Sequence, residues 1–446
     1  MIFSPTSYSV SYDWEGGALR NTKTMEMGSN KEKMGFNATW SMAVGGMVGG
    51  GIFSVLGVII GRTGQWAWLS FLLAGLIALA SAHSYSQLSL EYRESGGAYT
   101  FLRKAGRQGL AASLAWVLVL GYVLTIAVYA HTFGHYVANV FKLGSWFPGV
   151  LAFVVIGFLA LINLRGVGDA SRLEIITVWG KLAVLLGLAL LGLAHWAPDQ
   201  LSAGIEPKSW DRAIIGAATI FMAYEGFQLL SYDFDDIKNA GKTLPRAMLS
   251  AVVAVLFIYI LVALGATMLV GASQLVEQKE IALAIAGQKA LGTPGLLLIT
   301  IAAAFSTGSA INATLFSTAR LVERVAARKD LPALLKQENK QHIPHYAILG
   351  IAGLAAVLAV IGSLGVLVDA ASLVFLVTFG TVNLLAWRQN IRFKAFALIG
   401  LLGSVAAIIL SVFEQFRTAP VPVSVVIGLI LLSIVAQPFA AKLMKR

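Results

Sequence analysis

Twelve apolar stretches, each close to the roughly 20 residues a helix needs to cross hydrocarbon, leave this chain one class of architecture. They run over 36–60, 64–90, 108–139, 147–164, 171–194, 213–233, 247–270, 293–319, 345–361, 365–387, 394–413 and 420–441. Lipid offers the backbone no hydrogen-bond partners, so segments of this kind must pair internally as helices. Hydrophobic residues make up 57% of the chain and charged residues 12%, about half the roughly 25% of a soluble domain. The expected fold is an all-α integral membrane protein with twelve transmembrane helices. The chain has no cysteine, which removes disulfides, thiolate metal sites and cysteine nucleophiles from consideration.

Basic residues orient the spans. With the N-terminus in the cytoplasm, 25 of the 33 Lys and Arg fall on cytoplasmic tails and loops, and the other side holds only Arg62, Lys142, Lys208, Arg212, Lys279, Lys289 and Arg417. The positive-inside rule therefore sets both termini in the cytoplasm of an inner or plasma membrane. The net charge of +11 is a topology signal and not a nucleic-acid footprint. Residues 1–35 are polar, lack the apolar core of a cleavable signal peptide, and read as a disordered cytoplasmic tail. A ten-helix core follows over 36–388, and 389–446 supplies two further helices and a cytoplasmic C-terminus.

Two spans are interrupted by glycine near their centres. The tracts are Gly45-Gly46-Met47-Val48-Gly49-Gly50-Gly51-Ile52-Phe53 and Phe221-Met222-Ala223-Tyr224-Glu225-Gly226-Phe227. Backbone groups released from helix pairing survive at bilayer depth only where they line a cavity or bind something polar. Spans one to five and six to ten each open with such a helix, and an odd number of spans inverts the second unit in the membrane, a layout found in transporters. Close helix packing is the other use of glycine in a span.

The remaining basic residue, Lys181, lies near the middle of the fifth span, about ten residues or roughly 15 Å from either end. A lysine at that depth costs about 2.5 to 3.5 kcal/mol on insertion scales, so it is expected to face a polar cavity or a partner. A buried amine gives up its proton more readily than one in water, which fits it for proton exchange. The other reading is a structural lysine bonded to carbonyls of a neighbouring broken helix.

Met47 through Phe53 resembles the first-helix signature of the amino acid/polyamine/organocation transporter superfamily. Glu91 through Tyr99, EYRESGGAY, resembles its second-helix exit. Tyr224-Glu225-Gly226-Phe227, followed by Asp235-Asp236-Ile237-Lys238-Asn239 and Thr243-Leu244-Pro245-Arg246, resembles its sixth helix and the loop after it. The resemblance covers about residues 36–441 and implies the leucine-transporter fold, a 5+5 inverted repeat with helices one and six broken. It implies a substrate carboxylate on the backbone amides around Gly49, Gly50, Gly51 and Ile52, where a half-helix N-terminus offers free N–H groups and a positive dipole end. The family often has serine where this chain has Gly50. The substrate amine would meet carbonyls around Phe221, Met222 and Ala223, with Phe221 as an aromatic gate.

The resemblance also implies proton coupling. In some members a fifth-helix lysine stands where sodium-coupled relatives bind an ion, and Lys181 matches it. Its expected partners are the carbonyls of Gly45 and Val48 and the hydroxyls of Ser306, Thr307 and Ser309, although mid-span hydroxyls also commonly bond back to their own helix.

Glu225 is the one acidic residue near a bilayer centre, open to three roles: carrying a proton, attracting a cationic side chain, or pairing with a polar neighbour. Tyr122, Thr125 and Tyr129 share the third span and are placed to reach a substrate. His131 and His135, four apart on one face, have the spacing of a metal pair but no third ligand, and are expected to be ordinary hydrogen-bonded histidines. His83 is expected to be a packing residue.

The combined expectation is a proton-coupled amino acid permease working by alternating access, with substrate between spans one and six and Lys181 losing and regaining its proton. The alternative is an amino acid or polyamine exchanger in which Lys181 is a fixed substitute for sodium. A membrane-embedded enzyme is remote, because no convergent acid/base set or HExxH spacing occurs. A channel lacks its repeated filter segment. No cofactor is implied; the partners are a small amino acid, protons and the lipid bilayer, and the oligomeric state is left open.

Overall fold

The computed structural model describes residues 33–142, 144–165 and 171–418, with residues 420, 424, 427, 428 and 431 beyond them. Most of the expected tail and most of the expected twelfth span lie outside the described residues.

The long helices follow the apolar stretches. They are α1 (Phe36–Thr63), α2 (Ala67–Tyr92), α4 (Gln108–Val140), α5 (Phe147–Leu164), α6 (Ser171–Ala194), α8 (Ala240–Val270), α11 (Thr293–Ala327), α12 (His345–Ile361), α13 (Leu364–Arg388) and α14 (Lys394–Thr418). Short helices fill the connections: α3 (Gly97–Lys104), α7 (Arg212–Thr219), α9 (Ala272–Glu277) and α10 (Ala282–Leu291). Pro148 and Pro294 sit in the first turns of α5 and α11, where a missing N–H is harmless. Among the described residues, eight stretches are long and apolar enough to cross a membrane, with α1 and α2 forming one continuous 57-residue stretch. The 17-residue α12 and the interrupted sixth span fall short of that measure.

Burial sorts the helices into a core and a jacket. α1 is buried along most of its length, and α4 and α13 along much of theirs. α5 and α14 turn Phe153, Phe158, Leu161, Leu402, Ile409 and Phe413 outward. Exposed apolar side chains on this scale mark a lipid-facing surface. Within the bundle, the sixth span packs on α1, α8 on α2, α11 on α4 and α12 on α5. The first four spans of the first unit thus touch their counterparts in the second, as fits an inverted repeat about a pseudo-two-fold.

One expectation changes. The first helix is not broken: α1 is helical throughout, across all its glycines. Those glycines serve close approach instead. A Cβ at Gly49 would stand 2.3 Å from the Ala310 Cβ, and one at Gly50 2.0 Å from the Tyr129 ring. The sixth span is broken as expected. α7 ends at Thr219, and tight 3-10 turns at Phe221–Tyr224, Phe227–Ser231 and Phe234–Asp236 replace it.

Candidate functional site

The site is built where the broken sixth span crosses α1. Gly226 has φ +137°, a conformation that side-chain-bearing residues rarely adopt, and a Cβ there would lie 2.4 Å from the Met47 nitrogen. Opposite it, a Cβ on Gly46 would lie 2.8 Å from the Gly226 Cα. Two backbones therefore touch at mid-span, and only glycine on both sides allows it.

Ending a helix inside a membrane orphans carbonyls and amides. Ser372 on α13 answers for two of them: its hydroxyl donates to the Thr219 carbonyl at 2.5 Å and accepts from the Met222 amide at 3.0 Å. Tyr259 on α8 reaches a third, its hydroxyl lying 2.9 Å from the Ala223 carbonyl and also 2.7 Å from the Met47 carbonyl of α1. One hydroxyl has one proton, so it donates to one of these carbonyls at a time.

The centre of α1 is unbroken, yet three of its carbonyls receive side-chain donors. Besides Met47, the Gly45 carbonyl accepts from Lys181 Nζ at 3.2 Å and the Val48 carbonyl accepts from Ser306 Oγ at 2.7 Å. A carbonyl has two lone pairs, so it can hold its place in the helix and accept a second donor. Lys181 is buried. Of the other hydroxyls expected beside it, Thr307 bonds back to Ala303 and Ala304 in its own helix, and Ser309 is half-buried. Gly51 is packed against the Tyr259 hydroxyl and Ala223, and Ile52 is fully buried.

Glu225 is buried and sits in a polar chain. Gln228 Oε1 accepts from the Gly226 amide at 2.8 Å, which turns its Nε2 toward Glu225 Oε1, also at 2.8 Å. The same Nε2 lies 3.4 Å from the Tyr122 hydroxyl, and that hydroxyl is 2.9 Å from the Tyr232 hydroxyl. Tyr232 lines a cavity of about 160 Å³ with Ser95, Asp233, Asp235, Arg320 and Arg324 at the basic end of the bundle. Phe221 is buried with its ring edge-on to Phe379, centroids 5.5 Å apart. Thr125 and Tyr129 lie on the α4 face that holds Tyr122, one and two turns along, and both are fully buried.

Both ends of the site are tied. At one, Arg62 at the end of α1 makes a two-pronged pair with Asp369 on α13 and also donates to Thr219 at 2.9 Å. At the other, Ser95 donates to Asp235 at 2.8 Å, and the Gly96 amide donates to the Ser231 carbonyl at 3.1 Å. Tyr99 and Arg103 of α3 both donate to Asp330, at 2.6 and 2.7 Å. Burial, and then Asp330 itself, push the Tyr99 hydroxyl up to about 12. Met34, just before α1, exchanges backbone hydrogen bonds with Asp236 and Lys238.

His131 and His135 stack with centroids 4.4 Å apart, and His131 Nδ1 meets the Ala359 carbonyl at 3.1 Å. No three His, Cys, Asp or Glu are placed to hold a metal ion among the described residues. His83 meets the Arg392 carbonyl at 2.8 Å and packs beside Phe396. Sequence reasoning missed Tyr259, Ser372, Gln228 and the Arg62–Asp369 pair. Tyr259, Gln228, Ser372 and Asp369 each carried a signal as polar groups inside apolar spans.

The profile of a family described as "Amino acid permease" matches residues 34–441. An uncharacterized protein of Methanocaldococcus jannaschii is 31% identical over 67% of this chain and 69% of its own. The inner membrane transport protein YbaT of Escherichia coli is 29% identical over 94% of this chain and 98% of its own. The serine/threonine exchanger SteT of Bacillus subtilis is 28% identical over 68% and 70%. Among solved structures, a manganese transporter of Eremococcus coleocola superposes with a TM-score of 0.58 at 13% identity, covering 92% of this chain and 94% of that one.

Proposed function

Because the chain belongs to the amino acid permease family, we propose that it is a proton-coupled amino acid symporter working by alternating access in the cell membrane, with both termini cytoplasmic. Transport, and not enzymatic catalysis, is what its family and relatives share. The observation that carries the coupling is the contact of the buried Lys181 ammonium with the Gly45 carbonyl, one turn from the glycine tract where the substrate is expected.

A charged Lys181 holds the middle of α1 by that hydrogen bond; a neutral amine holds it less strongly, because charge roughly doubles such a bond. Proton loss at Lys181 would thus loosen α1 against α6 at the level of the sixth-span break. The substrate carboxylate would take the backbone around Gly49, Gly50 and Gly51, and its ammonium the Met47 and Ala223 carbonyls that Tyr259 now shares. Tyr129 over Gly50 and the Arg62–Asp369 pair would be the closures that open to admit it.

Uptake of amino acids into proteoliposomes, with and without an inward pH gradient, tests this in wild type and Lys181→Ala. Gradient-driven uptake that the substitution abolishes supports the symporter. Lys181→Ala retaining gradient-driven uptake would overturn the coupling role.

The similarity to a serine/threonine exchanger favours a second reading, in which Lys181 is a fixed cation and the protein exchanges one amino acid for another. Empty vesicles separate the two: an exchanger takes up labelled substrate only when unlabelled substrate is inside.

A further inference from the structure

The face of α4 turned toward α1 carries hydroxyls that the protein does not pair. Thr125 Oγ1 and Tyr129 OH are buried and make no hydrogen bond among the described residues, and the same is true of Tyr85 OH on α2. Roughly nine in ten or more of such groups are paired in folded proteins, so three near one another point to a polar ligand. They belong to one locality. Thr125 and Tyr129 are four apart on one helical face, and the Tyr129 ring lies on Gly50 at the centre of α1. The Tyr85 ring packs edge-on against Phe227, two residues from Glu225, with centroids 5.9 Å apart.

The chemistry of this set is selective. A hydroxyl both gives and accepts a hydrogen bond, while a carboxylate accepts. Glu225 Oε1 is already engaged by Gln228, whose own orientation is fixed by the Gly226 amide. A ligand group that satisfies the rest must donate and accept, as a hydroxyl or a carboxamide does. An aliphatic side chain would leave the buried hydroxyls without partners. Length is limited too, because Phe221, Phe227 and Phe379 stack edge to face beside Tyr85 and wall this region.

We propose that Thr125, Tyr129, Tyr85 and Glu225 form the subsite for the side chain of the transported amino acid and select short side chains ending in a hydroxyl or carboxamide. This rests on the reading that an amino acid binds between α1 and the sixth span.

The test is proteoliposome uptake of serine, threonine and asparagine against alanine, valine and leucine, with lysine and arginine included. Wild type is compared with Thr125→Val and Tyr129→Phe, each of which deletes a hydroxyl and keeps the shape. Wild type should favour serine over alanine by about 100-fold in kcat/KM, since a site built around a substrate hydroxyl rejects its absence strongly. Each variant should lower that ratio about tenfold by slowing serine more than it slows alanine. The proposal is overturned if wild type prefers aliphatic or cationic substrates, or if both variants slow serine and alanine equally. Should one variant fail to run as a single species in gel filtration, the other decides. No uptake of any amino acid by folded wild type would instead reject the transport reading beneath it.

Discussion

The Arg62 guanidinium grips the Asp369 carboxylate with two hydrogen bonds, 2.8 and 2.6 Å, joining the end of α1 to the start of α13 across 307 positions of sequence. The same guanidinium reaches Thr219, the last residue before the sixth span breaks. One charged group thus ties the three segments that frame the site. Asp369 is nearly buried, whereas Arg62 keeps about a third of its side chain exposed. Removing Arg62 would strand the buried carboxylate at a cost of roughly 1–3 kcal/mol, below that of a fully buried pair.

We predict that Arg62→Ala and Asp369→Asn each slow uptake at least tenfold. Arg62→Lys should rescue poorly, because an ammonium cannot make the two-pronged contact. Initial uptake rates in proteoliposomes check this; a fully active Arg62→Lys would remove the geometric requirement.

Ser372 replaces the helical hydrogen bonds of Thr219 and Met222. Its change to alanine leaves a buried carbonyl and a buried amide unpaired, which costs roughly 1–3 kcal/mol per group. Ser372→Ala should lower the Tm of the purified protein by several degrees and reduce transport. An unchanged Tm would mean that Ser372 does not hold the break.

Gly226→Ala should abolish transport and impair folding, since the added Cβ would meet the Met47 nitrogen at 2.4 Å in an unfavourable backbone conformation. Gly241→Ala, where a Cβ meets nothing within 4 Å, is the neutral control. Equal expression and uptake of the two variants would contradict the close crossing.

Tyr99 links α3 to Asp330, and its hydroxyl is pushed up to about 12 from the ordinary 10.0. A group whose folded pKa is raised contributes stability that is complete below its unfolded pKa and is lost as pH rises through the folded one. The Tm difference between wild type and Tyr99→Phe should therefore hold below pH 10 and shrink toward pH 12. A difference that grows with pH would reverse the sign and refute the link.

The cysteine-free chain makes its topology directly testable. In intact cells, a membrane-impermeant maleimide should label Glu206→Cys and spare Gln341→Cys until the membrane is opened; both side chains are exposed. The opposite pattern would invert the proposed orientation.

Helix positions were legible in the sequence because lipid length and apolarity are local properties. α5, α12 and α14 begin where the apolar stretches place them, and the sixth span is irregular through its glycine-bearing tract, Phe221 to Phe227. The same reasoning expected α1 to break, and failed because it treated glycine as a weakness of one helix. Gly46, Gly49 and Gly50 are spaces for Gly226, Ala310 and Tyr129, and packing against those neighbours keeps α1 helical.

By itself the sequence determined a polytopic helical protein, the placing of Lys181 and Glu225 within apolar stretches, and the irregular sixth span, since each follows from what a bilayer permits within about 20 consecutive residues. Only the tertiary structure decided which groups meet. Arg62 with Asp369, Tyr259 with Met47 and Ala223, and Ser372 with Thr219 are pairings between distant segments. The physical reason is that every polar group inside the bundle must find a partner, and which partner comes within 3 Å is set by how whole helices cross, which no local stretch of residues encodes.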